Sequence, residues 1–382
     1  MARASPTEAP DINPASPGSS LHMAQTLSST QTPREAAQRG DSAEAKSSES
    51  KRRKKAGLRP KSGTSAAASP LPSAATAREF TQLSGAQIEQ RIAELRQVLR
   101  QRPRNEPTRQ ALGLISVELA NRILDLDALD RKDEIAHWMA VIRTDLPDTF
   151  WRTRQLAKTD ERGAAALGLF YSEGILTARA PEKGCEQYAR AAQGGHVAAA
   201  YQAALCKART DPALAKTLLE HAAEKGHPGA QELMGRACIE GEEKDGACAI
   251  KWLERSAAKG RPSAMSLLAW LYASDPEHLD LVKSVSYYRA AAEAGDRAAQ
   301  NNLGEMYETG RGVSQDPAQS FSWYARAAEA GFPQAQLNLA RLYAAGNGVA
   351  RDLANARLWA ERAQKQGQAQ AQDLLDWLAV QH

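Results

Sequence analysis

Between residues 295 and 331 the apolar positions fall at the spacing of two short amphipathic helices. Ala299, Leu303 and Tyr307 recur every four residues and Met306 adds an i+3 contact, which makes one apolar stripe. Gly304 interrupts that stripe where a side chain would hold two helices apart, so it predicts close approach to a partner helix. Gly310 and Gly312 follow, and glycine there ends a helix and turns the chain without a Cβ penalty. Asp316-Pro317 then reads as the N-cap and first residue of a second helix, with Phe321, Tyr324, Ala327 and Ala328 on its buried face. Gly331 closes the unit and Pro333 opens the next one. The same devices recur at Asp211-Pro212, Gly226-His227-Pro228 and Gly260-Arg261-Pro262.

From Gly331 the order restarts with a spacing of 36 residues: Ala335-Gln336, Asn338-Leu339-Ala340, Tyr343, Gly346-Asn347-Gly348-Val349, Trp359, Ala363 and Gly367. Followed backwards, unit-closing glycines stand at Gly195, Gly226, Gly260, Gly295, Gly331 and Gly367, with gaps of 31, 34, 35, 36 and 36. A fixed period in the thirties marks stacked helical hairpins, and six units exceed the roughly three that such a stack needs for stability.

The motif Leu303-Gly304-x-x-Tyr307, then Gly310-x-Gly312-Val313, then Trp323-Tyr324-x-Arg326-Ala327-Ala328-Glu329-x-Gly331 resembles the Sel1-like repeat, a relative of the tetratricopeptide repeat. The resemblance covers the chain from about residue 160 and weakens toward its start. The unit after Gly195 lacks the Gly-x-Gly-Val loop, and the unit after Gly260 carries Asp275-Pro276-Glu277-His278 in its place. The expected fold is therefore all-α: an α/α superhelical solenoid of Sel1-like hairpins over 160–382, closed by a capping helix from Gln370. Ala371, Leu374, Leu375, Trp377, Leu378 and Val380 give that last helix its apolar face.

Residues 83–159 carry helical periodicity outside the repeat. Ser84 and Gln87 form a capping-box pattern ahead of Ile88, Ile92, Leu95, Val98 and Leu99. Further helices follow through Leu112 to Leu124, Ile135 to Ile142, and Phe150 to Leu156. Their expected role is a cap over the first unit's apolar face, because the ends of a repeat stack need a polar outer surface; a separate docking module is the alternative. Residues 1–82 are rich in Ser, Ala and Pro with almost no large apolar residue, and are expected to be a disordered tail.

Charge adds one asymmetry. The net formal charge is +4, but residues 1–80 hold 12 Lys/Arg against 7 Asp/Glu, which leaves the remainder near neutral. The run Lys51-Arg52-Arg53-Lys54-Lys55 has no interleaved aromatic for base stacking, so nucleic acid is not the expected partner and a solvated run is the plainer reading. There is no apolar run near 18 residues and no apolar segment after the first charge, so neither a membrane span nor a secretory signal is expected, and the cytoplasm is the default compartment. Export to the envelope or to a host, through another signal, is the alternative.

The sequence offers no catalytic motif, and neither an enzyme nor a cofactor is expected. Gly310-Arg311-Gly312 and Gly346-Asn347-Gly348 recur at the repeat period after helices, which makes them turns rather than phosphate loops. His196 and His227 follow unit-closing glycines and are expected as exposed turn residues, not metal ligands. Cys206 and Cys238 fall near the Met306 and Tyr307 positions and are expected to be buried. Cys238 and Cys248 face each other across one hairpin and would suit a disulfide in an exported protein; in the cytoplasm, Cys185, Cys206, Cys238 and Cys248 are expected as thiols.

What remains is recognition of a protein or peptide by a scaffold or adaptor. In tetratricopeptide relatives the first helix of each hairpin, helix A, lines the inner surface. The positions flanking the Leu-Gly pair are then the contact candidates: Tyr201 and Gln202, Glu232 and Arg236, Ser266 and Trp270, Asn301 and Glu305, Asn338 and Arg341. Trp270 stands where other units place Arg236, Glu305 and Arg341, as an exposed hot spot or as the filler of a gap left by the altered loop. The family resemblance implies roles in bacterial signalling, envelope or polysaccharide assembly, or host interaction.

Overall fold

The computed structural model describes residues 80–241 and 245–381, and within them every regular element is helical. The expected disordered tail, up to residue 79, and the Lys51–Lys55 run lie outside the described residues. Four helices come first: α1 (Gly85–Gln101), α2 (Glu106–Asp127), α3 (Lys132–Asp145) and, after one 3₁₀ turn, α4 (Phe150–Leu156). Six hairpins follow, each a helix A and a helix B. They are α5 (Glu161–Glu173) with α6 (Pro181–Gln193), α7 (Val197–Lys207) with α8 (Pro212–Glu224), and α9 (Pro228–Glu240) with α10 (Gly246–Ala257). Then come α11 (Pro262–Ser274) with α12 (Leu281–Glu293), α13 (Arg297–Thr309) with α14 (Pro317–Glu329), and α15 (Pro333–Ala345) with α16 (Leu353–Lys365). A last helix, α17 (Gln370–Ala379), packs on α16.

Short polar devices set these boundaries. Asp211, Asp245, Asp280, Asp316 and Asp352 each cap a helix B, accepting the free N–H of the third helical residue. Helix A closes on a left-handed glycine at Gly174, Gly310 and Gly346. In three of the hairpins a buried glutamine near the start of helix A then ties the unit to the one before it. Gln231, Gln300 and Gln336 donate to the carbonyls of Ala223, Ala292 and Ala328 at 3.0, 3.0 and 3.2 Å, at the ends of α8, α12 and α14.

Small residues let the helices approach closely. A Cβ on Gly304 would lie 2.8 Å from the Tyr324 ring, and one on Gly235 would lie 2.6 Å from Leu253, so the close contact expected at Gly304 is present and repeated. The second loop glycine has a different constraint. Gly348 has a φ of +71° and a Cβ there would lie 2.0 Å from the Pro317 carbonyl oxygen, so the Gly-x-Gly loop is wedged against the preceding hairpin.

The N-terminal helices have no separate core. One apolar cluster runs from Phe80 through Ile88, Ile115, Leu119 and Ile142 to Phe170, Ala199 and Ala203, which spans α1 to α7. Among the described residues no helix is long and apolar enough to cross a membrane.

Candidate functional site

Successive A helices lie side by side and exchange side-chain contacts. Asn338 on α15 donates to Asn301 on α13 at 3.1 Å, and Arg341 on α15 donates to Gln370 on α17 at 3.1 Å. The flanking positions of helix A therefore form one continuous row. The two halves of that row differ.

In the front half, α9 carries Glu232, whose side chain has 0% exposure, and Arg236 one turn later, which donates to it at 2.8 and 2.6 Å. Arg261, the residue before α11, donates to the other carboxylate oxygen, and the Ser263 hydroxyl lies 2.6 Å from that same oxygen. Burial alone would push the Glu232 carboxyl up, but Arg261, Arg236 and Ser263 outweigh it and hold it below the usual range. Arg261 stands in the position that His196, His227 and Asp296 use to cap their helices, and it makes no cap there. Its guanidinium reaches the end of α2 instead. It donates to the Ala128 carbonyl at 2.6 Å and the Asp127 carbonyl at 3.3 Å, and lies 3.5 Å from the Asp130 carboxylate. A cation on the last carbonyls of a helix satisfies acceptors that have no partner within the helix, and it meets the negative end of the helix dipole.

Two further contacts complete this joint. Gln202 on α7 donates to Asp127 at 2.7 Å, and Ser263 lies 3.0 Å from Asp130. Burial raises the Asp127 carboxyl, with Arg261 and Gln202 pulling the other way. Tyr201 is buried and stacks on His227 with ring centroids 4.3 Å apart. Of the expected contact residues, Gln202 and Glu232 thus belong to this joint, Arg236 pairs with Glu232 and Tyr201 with His227, and Tyr201, Glu232 and Arg236 are buried. The signal was present in the sequence as an arginine at a capping position.

The back half has no such insert. Ser266 is half-buried, with its hydroxyl turned inward toward the Asp296 carboxylate. Trp270 is half-buried and touches the apolar clusters on both sides of α11, so packing holds it while part of its ring stays accessible. Asn301 is 5% exposed and sits in an amide ladder that runs from Gln334 through Asn338 and Asn301 to Asn302 and the Tyr288 hydroxyl. Glu305 is half-buried, its carboxyl raised by burial, while Arg341 is exposed.

The histidines and cysteines also differ from expectation. His196 and His227 are N-caps: each Nδ1 accepts a backbone N–H, from Ala199 at 3.1 Å and from Ala230 at 3.2 Å. His227 is 5% exposed, and burial, with Arg261 adding to it, pushes its imidazole down to about 3. His196 is lowered in the same direction, chiefly by burial. Because the folded-state value lies below the unfolded one, the unfolded chain takes up the proton first. Stability is full above pH 6.5 and is lost as pH falls toward 3. For His227 alone, lowering pH from 7 to 5 should remove about 2 kcal/mol. His227→Asn keeps a capping side chain, so its urea midpoint should depend less on pH over that window; an unchanged slope would contradict the assignment.

The four cysteines are paired, Cys185–Cys206 and Cys238–Cys248, in place of the expected thiols. Cys206 is exposed rather than buried. In the unit with Met306 at this position, Val313 of the Gly-x-Gly-Val loop packs against the same cluster; the unit of Cys206 has no such loop. No group of three or more metal-binding side chains occurs among the described residues.

These hairpins are Sel1 repeats. The Sel1 repeat pattern matches residues 162–196, 198–227, 228–260, 262–296, 297–332 and 333–368, and the chain belongs to the Sel1 repeat family. Among solved structures it is similar to a protective antigen present in uropathogenic Escherichia coli strains displaying an SLR fold. That similarity is 25% identity with a TM-score of 0.54, over 71% of this chain and 62% of that one. The chain therefore spans less than two thirds of that relative. A Sel1 repeat protein from Oxalobacter formigenes is 24% identical with a TM-score of 0.50, over 63% of this chain and 96% of that one. The sequence has no significant match among the curated proteins. Sel1 repeat proteins are in general scaffolds for protein interaction.

Proposed function

We propose that the protein is a non-enzymatic scaffold that holds a protein or peptide partner on the back half of its helix-A row, from α11 to α15. The observation that carries this reading is the division of the row. Its front half is filled by the end of α2, whereas Ser266, Trp270, Asn301, Glu305, Asn338 and Arg341 meet no inserted segment of the described chain. The half-buried Trp270 on α11 and Asn338 on α15 suit an extended peptide: indole supplies apolar contact at low entropic cost, and a side-chain amide can pair with backbone N–H and C=O groups.

The test is capture of partners by the full chain, compared with Trp270→Ala/Asn338→Ala and with Gln202→Ala. A protein held by wild type and by Gln202→Ala, whose affinity falls at least ~10-fold in the double variant, supports the reading. A partner that is indifferent to the double variant contradicts it.

A second reading, an exported and host- or envelope-associated repeat protein, is favoured by the paired cysteines, since disulfides persist in oxidising compartments. Similarity to a bacterial protective antigen points the same way. The thiol state of the protein taken from its own cells decides: four free thiols there would contradict export.

A further inference from the structure

α2 is 22 residues long, so its start lies about 30 Å from the end that Arg261 holds. Two ion pairs gather other elements around that start. Arg96 on α1 meets Asp145, the last residue of α3, and Arg152 on α4 meets Glu106, the first residue of α2. The same end exposes Arg100, Arg102, Arg104, Arg109, Arg143 and Arg154, none of which has a carboxylate partner among the described residues. Asp148 is the one exposed carboxylate of the α3–α4 turn. Trp151 stands beside them with 58% exposure, and the Arg154 guanidinium lies 5.5 Å from its ring centroid.

We propose that this end of the N-terminal helices docks the protein on an anionic phospholipid surface. The cations are all arginines, whose planar guanidinium pairs with phosphate oxygens through two hydrogen bonds. A tryptophan with its ring in solvent suits the boundary between headgroup and hydrocarbon, where an apolar body and a polar N–H are both accommodated. The patch has one large exposed aromatic, Trp151, rather than a series on which successive bases could stack, which favours lipid over nucleic acid. In this arrangement α2 is a strut with its basic start on the lipid and its far end locked into the repeats.

The test is sedimentation of the full chain with vesicles of about 30% phosphatidylglycerol in phosphatidylcholine, and with pure phosphatidylcholine, at about 0.1 M salt. Wild type should partition at least ~10-fold more strongly to the anionic vesicles. At about 5-fold per cation, Arg100→Gln/Arg102→Gln/Arg104→Gln/Arg109→Gln should lower that partitioning by ~100-fold or more. Its thermal unfolding should be unchanged, because all four side chains are exposed and unpaired. Trp151→Ser should cost several-fold without altering the salt dependence. Equal partitioning to both vesicles, or a quadruple variant that binds like wild type, would overturn the proposal. So would a DNA duplex that binds more tightly than the anionic vesicles at the same salt and is lost in the same variant.

Discussion

Glu232→Gln is expected to destabilise the protein by about 3–5 kcal/mol, read as a fall in the urea midpoint followed by far-UV circular dichroism. The substitution keeps the volume and removes only the charge that Arg236 and Arg261 share. Arg261 is 3% exposed at its side chain, so it keeps a buried charge with Asp130 at 3.5 Å as its remaining carboxylate. Loss of one partner from a buried ion pair costs more than loss of the whole set, because an uncompensated charge stays behind. The triple change Glu232→Met/Arg236→Met/Arg261→Met should therefore be far milder than Glu232→Gln alone. It would still release the end of α2, which limited proteolysis between residues 127 and 132 would detect. A Glu232→Gln protein as stable as wild type would mean that α2 is not held in this way.

The second large effect concerns the cysteines. Cys185–Cys206 joins α6 to α7 across a sequence separation of 21, and so staples the first hairpin to the second. Restricting the unfolded chain over a loop of that length is worth about 3 kcal/mol in the loop-entropy description. Cys185→Ser/Cys206→Ser should lose about that much against oxidised wild type, and reductant should weaken wild type more than the variant. If reductant left the unfolding of wild type unchanged, the pairing would be absent from the folded protein. The same experiment on protein from its natural source bears on the compartment, because paired cysteines persist in oxidising surroundings.

The features legible in the sequence were local and periodic. Asp211 and Asp316 before proline gave the start of helix B, and the same cap recurs at Asp245, Asp280 and Asp352 without an adjacent proline. Gly304 gave the close helix contact because only a missing Cβ explains glycine inside an apolar stripe. The joint between the N-terminal helices and the repeats was not legible, because Arg261 and Asp127 are 134 positions apart and no period connects them. Periodicity named Glu232 and Arg236 as members of the helix-A row and did so correctly; it could not say that another part of the chain already occupies that stretch. His227 was misjudged for a related reason. A position after glycine is exposed in an isolated turn, whereas here the turn is covered by the Tyr201 ring of the preceding A helix.

Trp270 is an intermediate case. Its departure from the polar residues at equivalent positions marked it for attention, and the structure gives it a packing role with part of the ring still accessible. The capture experiment tests the other alternative, a binding role, through affinity rather than stability.

The division of the helix-A row into an occupied front and an open back can be measured directly by carboxyl footprinting of the native full chain. Glu232 should stay unlabelled on the timescale that modifies Asp373, an exposed carboxylate of α17, and the half-buried Asp127 and Glu305 should be labelled at an intermediate rate. In Arg261→Met, Asp127 and Asp130 should become more reactive while Glu305 is unchanged. Labelling of Glu232 in the native protein as fast as Asp373 would contradict the arrangement, because it would place the front of the row in solvent and leave α2 without its lock.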